Sequence, residues 1–338
     1  MRNTILLFLI LIFTLSFCKG GKKSENVLNG AGATFPYPVY SAWAQDFEKS
    51  SQIKLNYQSI GSGGGIQQIS NRTVDFGASD KPLEPSELET KKLLQFPAVI
   101  GGVVPVINIP GVESGKLSLD GKTLCKVYLG EIKKWNEKAI KTLNSSINLP
   151  NEKITVVTRS DGSGTTALFT RYLSENCPEW KEKVGADTSV KFPVGLGAKG
   201  NEGITNYVQR VKGAIGYVEF AYAHQNHLNH ISLINPAGNS VEPSFEAFQD
   251  AAATGEFKPE NHFYLWLINS PGEKSWPISG ASYILLAKEK PEINKRVVQF
   301  FDWTFKNGDE TAKKLVYVPL PDELKNKIRE YWKANNLN

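Results

Sequence analysis

Three short segments of the chain combine glycine with hydroxyl-bearing residues in the way an anion-binding turn requires. Gly30-Ala31-Gly32-Ala33-Thr34-Phe35 comes first, Ile60-Gly61-Ser62-Gly63-Gly64-Gly65-Ile66 second, and Arg159-Ser160-Asp161-Gly162-Ser163-Gly164-Thr165-Thr166 third. Each sits where an extended run hands over to a helical one. The first turn of a helix exposes backbone N–H groups that have no intrahelical acceptor, and it carries the positive end of the helix dipole. Small residues let an anion approach those groups, while serine and threonine hydroxyls add further donors. One such turn is commonplace and usually structural. Three of the same character, brought together, would cage a tetrahedral oxyanion.

Two charged positions narrow the chemistry. Arg159 can offer a bidentate fork to an oxyanion, and Asp161, two residues on, could pair with it and fix its orientation. Asp80, in Asp75-Phe76-Gly77-Ala78-Ser79-Asp80, is less obvious, because a carboxylate beside an anion repels it. The pairing makes sense if the ligand brings a proton to donate, as hydrogen phosphate does and sulfate does not. A buried acceptor facing no donor costs on the order of a few kcal/mol, and would exclude sulfate by that margin. On the residues alone, Asp80 could instead simply cap the turn Asp80-Lys81-Pro82.

Other chemistries fit less well. A dinucleotide fingerprint at Gly30-Ala31-Gly32 fails because Phe35 stands where its third glycine belongs. No Gly-Lys-Ser/Thr follows any of the three segments, which removes a P-loop, and Gly162-Ser163-Gly164 lacks the spacing of a nucleophile elbow. A secreted phosphatase would bind the same anion but needs a metal cluster or an activated nucleophile, and the sequence displays neither, nor any cofactor motif. His224, His227 and His230 could present two rings on one helical face. Their polar neighbours Gln225, Asn226 and Asn229 instead favour a solvated helix end. Trp135, Trp180 and Trp266 read as core or rim aromatics.

The elements that must position these groups alternate. Ile53 to Tyr57 alternates apolar and polar residues as a strand does, and the apolar runs 74–77, 99–108, 154–158, 214–218 and 283–287 predict further strands. Helices are predicted over 165–173, 204–211, 293–305 and 323–332. Ser86-Glu87-Leu88-Glu89 predicts a capping box opening a helix toward Leu93 and Leu94. This alternation argues for an α/β architecture with largely parallel sheets. The length of 338 residues suggests two lobes, and no long linker or repeat divides them. The chain should therefore cross between lobes more than once. The run 96–105, with Gly101 and Gly102 to relax a hinge, is one candidate crossing, and the segment 276–280 is the other.

At the N-terminus, Arg2 precedes an apolar run from Ile5 to Phe17 that is too short to span a bilayer and has the length of a signal-peptide core. Leu15-Ser16-Phe17-Cys18 resembles a bacterial lipobox, with Phe17 where a small residue is expected, and the polar tether 19–26 follows. Export with a lipid on Cys18 is the expectation. Cys125 and Cys177 could pair in an oxidising compartment or lie apart as buried apolar residues. The composition is that of an ordinary globular protein, 41% hydrophobic and 22% charged. Its net charge of +5 is spread along the chain, which argues against nucleic acid as a partner.

Gly30 to Pro36, Val74 to Asp80, Phe96 to Val104 and Asp161 to Thr165 resemble, in order, the motifs of the PstS family, the substrate-binding proteins of phosphate ABC transporters. So do Gly213-Ala214-Ile215-Gly216-Tyr217-Val218-Glu219 and Phe300-Phe301-Asp302-Trp303. The resemblance runs from about Asn29 to Trp332. It implies a two-lobed, type II-like periplasmic binding protein of Venus-flytrap form. Lobe I would comprise 29–100 plus 281–338 and lobe II 101–280, after a signal peptide (1–17) and a lipidated tether (18–28). It further implies phosphate contacts from Thr34, Phe35, Ser62, Asp80, Arg159, Ser163, Gly164 and Thr165, with Asp161 orienting the arginine. The implied partners are inorganic phosphate and the permease subunits of an ABC transporter. The protein would be a membrane-anchored monomer that catalyses no reaction; a phosphate-sensing or adhesion role would share the same scaffold.

Overall fold

The computed structural model describes residues 26–337; the expected signal peptide and lipidation site at Cys18 lie outside them. In chain order the first part runs β1 (Val27–Gly32), α1 (Tyr37–Ser51), β2 (Lys54–Ser59), α2 (Ser62–Ser70), β3 (Phe76–Ser79), α3 (Pro85–Lys91) and the long β4 (Leu93–Ile107). The middle follows with β5 (Ser118–Leu119), α4 (Gly121–Tyr128), α5 (Lys138–Leu143), β6 (Thr155–Arg159), α6 (Gly164–Asn176) and α7 (Pro178–Lys183). Next come β7 (Leu196–Ala198), α8 (Gly200–Arg210), β8 (Ala214–Glu219), α9 (Phe220–Gln225), β9 (Asn229–His230), β10 (Ser232–Ile234), β11 (Ser240–Val241) and α10 (Phe245–Ala253). The chain ends with β12 (Leu267–Ile268), β13 (Ile278–Ala287), α11 (Pro291–Asn307), α12 (Asp309–Lys314) and α13 (Asp322–Ala334).

One mixed sheet organises the molecule, in the order β2-β1-β3-β13-β4-β8-β6-β7. The flanks are parallel: β1 with β2 and β3, and β6 with β7 and β8. The centre is not. β13 runs antiparallel to β3 and β4, and β4 antiparallel to β8, which corrects the expectation of largely parallel sheets. Every residue of β4 and β13 is buried, as strands covered on both faces must be. A continuous apolar run of this kind reveals a buried strand but not its direction.

β4 serves both ends of the sheet. Its residues 93–102 pair with β13 and 103–107 with β8. The changeover falls at Gly101 and Gly102, whose backbones are not in the left-handed region. Their lack of a side chain serves packing: a Cβ on Gly102 would lie 2.1 Å from the Phe248 ring, and one on Gly101 2.9 Å from that of Phe35.

Toward the β2 end of the sheet Phe47 packs on Phe300 and Tyr40 on Phe301, joining α1 to α11, while Phe96 meets Trp332 of α13. Toward the β7 end of the sheet, Phe169 stacks on Tyr217 with centroids 4.2 Å apart. Trp135 and Trp180 are fully buried, their indole N–H groups donating to the carbonyls of Gly213 and Gly185. Trp266 lies half-buried beneath the Arg171 guanidinium.

Local readings also changed. α3 starts at Pro85, whose fixed φ suits the first helical position; Glu84 precedes it without a side-chain cap, and Leu93 and Leu94 begin β4. The capping box at Ser86 is therefore absent. Cys125 of α4 and Cys177 at the end of α6 form a disulfide, which settles the pairing left open by the sequence. The helix carrying His224 stops at Gln225, and His227 takes a left-handed conformation. His230 then lies in β9, half-buried, with Nδ1 2.8 Å from Ser114 Oγ and Nε2 3.2 Å from Glu242 Oε1. It is not part of a solvated helix end.

Candidate anion-binding site

Parallel strands deliver their C-terminal ends to one edge of a sheet. β1, β2 and β3 are in register at Gly32, Ser59 and Ala78, so the segments 33–35, 60–63 and 79–80 leave side by side. β6, β7 and β8 do the same for Arg159 to Thr165, Lys199 to Asn201 and Glu219. The loops beyond the carboxyl ends of such strands are where α/β folds bind ligands.

The second and third glycine segments meet backbone against backbone. Gly63 N–H donates to Gly162 O at 2.9 Å, and a Cβ on Gly63 would lie 3.0 Å from Gly162 Cα. Gly61 precedes α2 with φ 89°, and a Cβ there would fall 2.4 Å from Asp161 Oδ2. Here glycine is required twice over, by conformation and by space.

Ser62 lies at the centre of this contact. Its Oγ accepts from Gly164 N at 3.0 Å and from Asp80 N at 3.2 Å, and its own proton faces Asp80 Oδ2 at 3.4 Å. Asp80, 1% exposed, receives Ser282 Oγ on Oδ1 at 2.8 Å. Ser282 adjoins the irregularity where β13 slips one residue past β4 beside Pro97, the kind of break that re-aims a side chain. Ser163 caps α6, accepting from Thr166 N at 3.0 Å, so its hydroxyl proton remains available to donate. Thr165 supplies a further first-turn amide and a buried hydroxyl.

Arg159 is 6% exposed and held by Asp161, with Nε at 2.8 Å and Nη2 at 2.5 Å from its two carboxylate oxygens. Asp161 Oδ1 also accepts from Gly200 N. The remaining guanidinium nitrogen, Nη1, is buried and has no acceptor among the described residues. Thr34 and Phe35 are buried beside these groups. The carbonyl of Thr34 accepts from Tyr222 Oη and that of Phe35 from Tyr317 Oη, each at 2.6 Å. Asn201 Nδ2 reaches Thr34 Oγ1 at 2.6 Å and Thr165 Oγ1 at 3.3 Å.

Burial pushes the Asp80 carboxyl up to about 7, against the opposing pull of the Ser282 hydrogen bond, the Arg159 charge and Ser62. Burial also opposes ionisation of Asp161, but the Arg159 hydrogen bond and charge and the Gly200 amide outweigh it and hold that carboxyl below its usual range. One carboxylate is thus committed to the arginine, while the other stands at the edge of ionisation among hydroxyl and N–H donors.

All nine residues singled out from the sequence, Thr34, Phe35, Ser62, Asp80, Arg159, Asp161, Ser163, Gly164 and Thr165, lie in this one buried cluster. Asp80 does not cap the turn after it; Ser79 Oγ does that, bonding both Lys81 N and Lys81 O. Ser282, Asn201, Tyr222 and Tyr317 went unnoticed in the sequence. Each lies far along the chain from the residue it holds, and no local pattern marks it.

Residues 20–307 match a family model described as a PBP superfamily domain, and the fold is that of a two-lobed periplasmic binding protein. The chain is 54% identical over 309 residues to the phosphate-binding protein PstS of Pasteurella multocida, covering 91% of this chain and 90% of that one. It is 50% identical over 329 residues to the PstS of Haemophilus influenzae, covering 97% of each. The chain belongs to the PstS family of phosphate-binding proteins. Among solved structures, the fold matches a periplasmic phosphate-binding protein of DING type, bound with phosphate, at a TM-score of 0.71 and 22% identity, covering 90% of this chain and 93% of that one.

Proposed function

We propose that the chain captures inorganic phosphate outside the cytoplasm, as hydrogen phosphate, and delivers it to the permease subunits of an ABC-type importer. Relatives with this name cover nearly the whole chain. The observation that carries the ligand assignment is Asp80, a buried acceptor in a shell of donors formed by Thr34, Phe35, Ser62, Arg159, Ser163, Gly164 and Thr165. The donors neutralise the oxyanion, and the carboxylate accepts a hydrogen bond from the one proton that hydrogen phosphate still carries. Sulfate has no such proton and would leave two acceptors facing each other in a dry site.

In this reading lobe I (29–100 with 281–338) and lobe II (101–280) close on the ligand, with β4 and β13 as the crossings. Phosphate favours closure because it bridges loops from both. The chain acts as a monomer, tethered through a lipid on Cys18 after removal of residues 1–17, and transforms nothing.

Calorimetry with phosphate and with sulfate tests the assignment. Phosphate binds and sulfate does not; equal binding of the two removes the role given to Asp80. Asp80→Asn should weaken the discrimination, and unchanged selectivity in that variant would count against the mechanism.

A further inference from the structure

Resting on the phosphate reading, we propose that Asn201 is a positioning residue of the site, which turns the Thr34 hydroxyl into an obligate donor toward the anion. Asn201 is fully buried at the start of α8. Its orientation is settled by the backbone: Oδ1 accepts from Glu219 N at 2.9 Å, so the amide nitrogen must face the other way. That nitrogen donates to Thr34 Oγ1 at 2.6 Å, and the backbone N–H of Asn201 donates to the same oxygen at 3.3 Å.

A hydroxyl has one proton and two acceptor sites. With both acceptor sites on Thr34 Oγ1 filled by Asn201, its proton can only be given away, and the hydrogen bonds of the described residues offer it no protein acceptor. Asn201 Nδ2 also reaches Thr165 Oγ1 at 3.3 Å, biasing a second hydroxyl in the same direction. Ser62 has its two acceptor sites filled in the same way, by Gly164 N and Asp80 N, and its proton faces Asp80 Oδ2. In the closed site the Thr34 hydroxyl is thereby set as a donor toward the anion, with Asp80 as the acceptor for the ligand's proton. The Asn201 contact also ties the loop after β1 to the helix after β7, at opposite ends of the sheet, so the donor is set when those loops are together.

The test is phosphate calorimetry on the full chain and on Asn201→Ala, Thr34→Val and the double variant. Each single change is expected to raise Kd about 10- to 100-fold, the range for a hydrogen bond to a charged group. The double variant should be no more than about threefold worse than the weaker single, because Asn201 acts through Thr34. Fully multiplied losses overturn the proposal, as would an Asn201→Ala variant that binds like the unmodified chain. Asn201→Asp keeps the shape and the Glu219 bond but offers Thr34 an acceptor, so it should lose at least as much affinity while its phosphate-free melting temperature holds. A direct readout needs no variant: in the phosphate complex of the unmodified chain, NMR should detect a Thr34 hydroxyl proton coupled to phosphorus. A Thr34 proton assigned to a protein acceptor would overturn the idea. An unmodified chain that binds no phosphate sinks the proposed function itself; one that binds while the variants match it sinks only the role of Asn201.

Discussion

Gly164→Ala probes the closed site through one methyl group. Gly164 begins α6 in an ordinary helical conformation, so alanine brings no backbone strain and slightly favours the helix. The cost is local. The new Cβ would lie 2.4 Å from Ser62 Oγ and 2.6 Å from both Cβ and Oδ2 of Asp80. Those atoms belong to the opposing loops, and Gly164 N–H is bound to the same Ser62 hydroxyl. The loops must part by more than half an ångström. Overpacking costs about 1–3 kcal/mol, and the strained or lost hydrogen bond adds about 1 kcal/mol. A closed state destabilised by about 2–4 kcal/mol lowers phosphate affinity roughly 30- to 700-fold. The phosphate-free chain, free to hold the loops apart, should melt within a few degrees of the original. Titration calorimetry reads the affinity, and small-angle scattering with saturating phosphate reads the compaction. An affinity within threefold of the original would refute the account of how tightly these loops meet.

Protonation and the cross-link give two further expectations. The Asp80 carboxyl rises from 3.8 to about 7, so between these values the folded chain keeps a proton that the unfolded chain has released. Stability of the closed form without phosphate therefore falls as pH rises through this window, by about 4 kcal/mol at 1.36 kcal/mol per unit. Asp80→Asn abolishes that contribution, and urea denaturation from pH 4 to 7 should show the variant gaining on the original; a constant gap would contradict it. The Cys125–Cys177 disulfide spans 52 residues, for which chain entropy predicts about 4 kcal/mol of stabilisation. Replacing both cysteines by alanine should lower the melting temperature while leaving phosphate affinity within about threefold, since neither touches the site. A lost affinity with an unchanged melting temperature would reverse that reasoning.

The three glycine- and hydroxyl-rich turns, Asp80 and the Arg159–Asp161 pair were legible in the sequence because each is a local matter. Glycine and serine where a strand gives way to a helix, or an arginine two residues from an aspartate, depends on near neighbours and survives whatever the rest of the chain does. The strands and long helices were legible for the same reason, since apolar period is set within one element. Direction was not: β4 and β13 look like any buried strands, and only the order of the sheet makes them antiparallel.

The residues that hold the site in shape were decided by the tertiary structure alone. Ser282 meets Asp80 across 202 positions, Asn201 meets Thr34 across 167, and Tyr317 meets Phe35 across 282. A lone serine, asparagine or tyrosine carries no sign of its partner, because that partner is chosen by strand order and register. The sequence by itself thus determined which groups could hold a protonated oxyanion. The fold decided that they face one another, which way their hydroxyls point, and that the acceptor among them is buried enough to stand near neutrality.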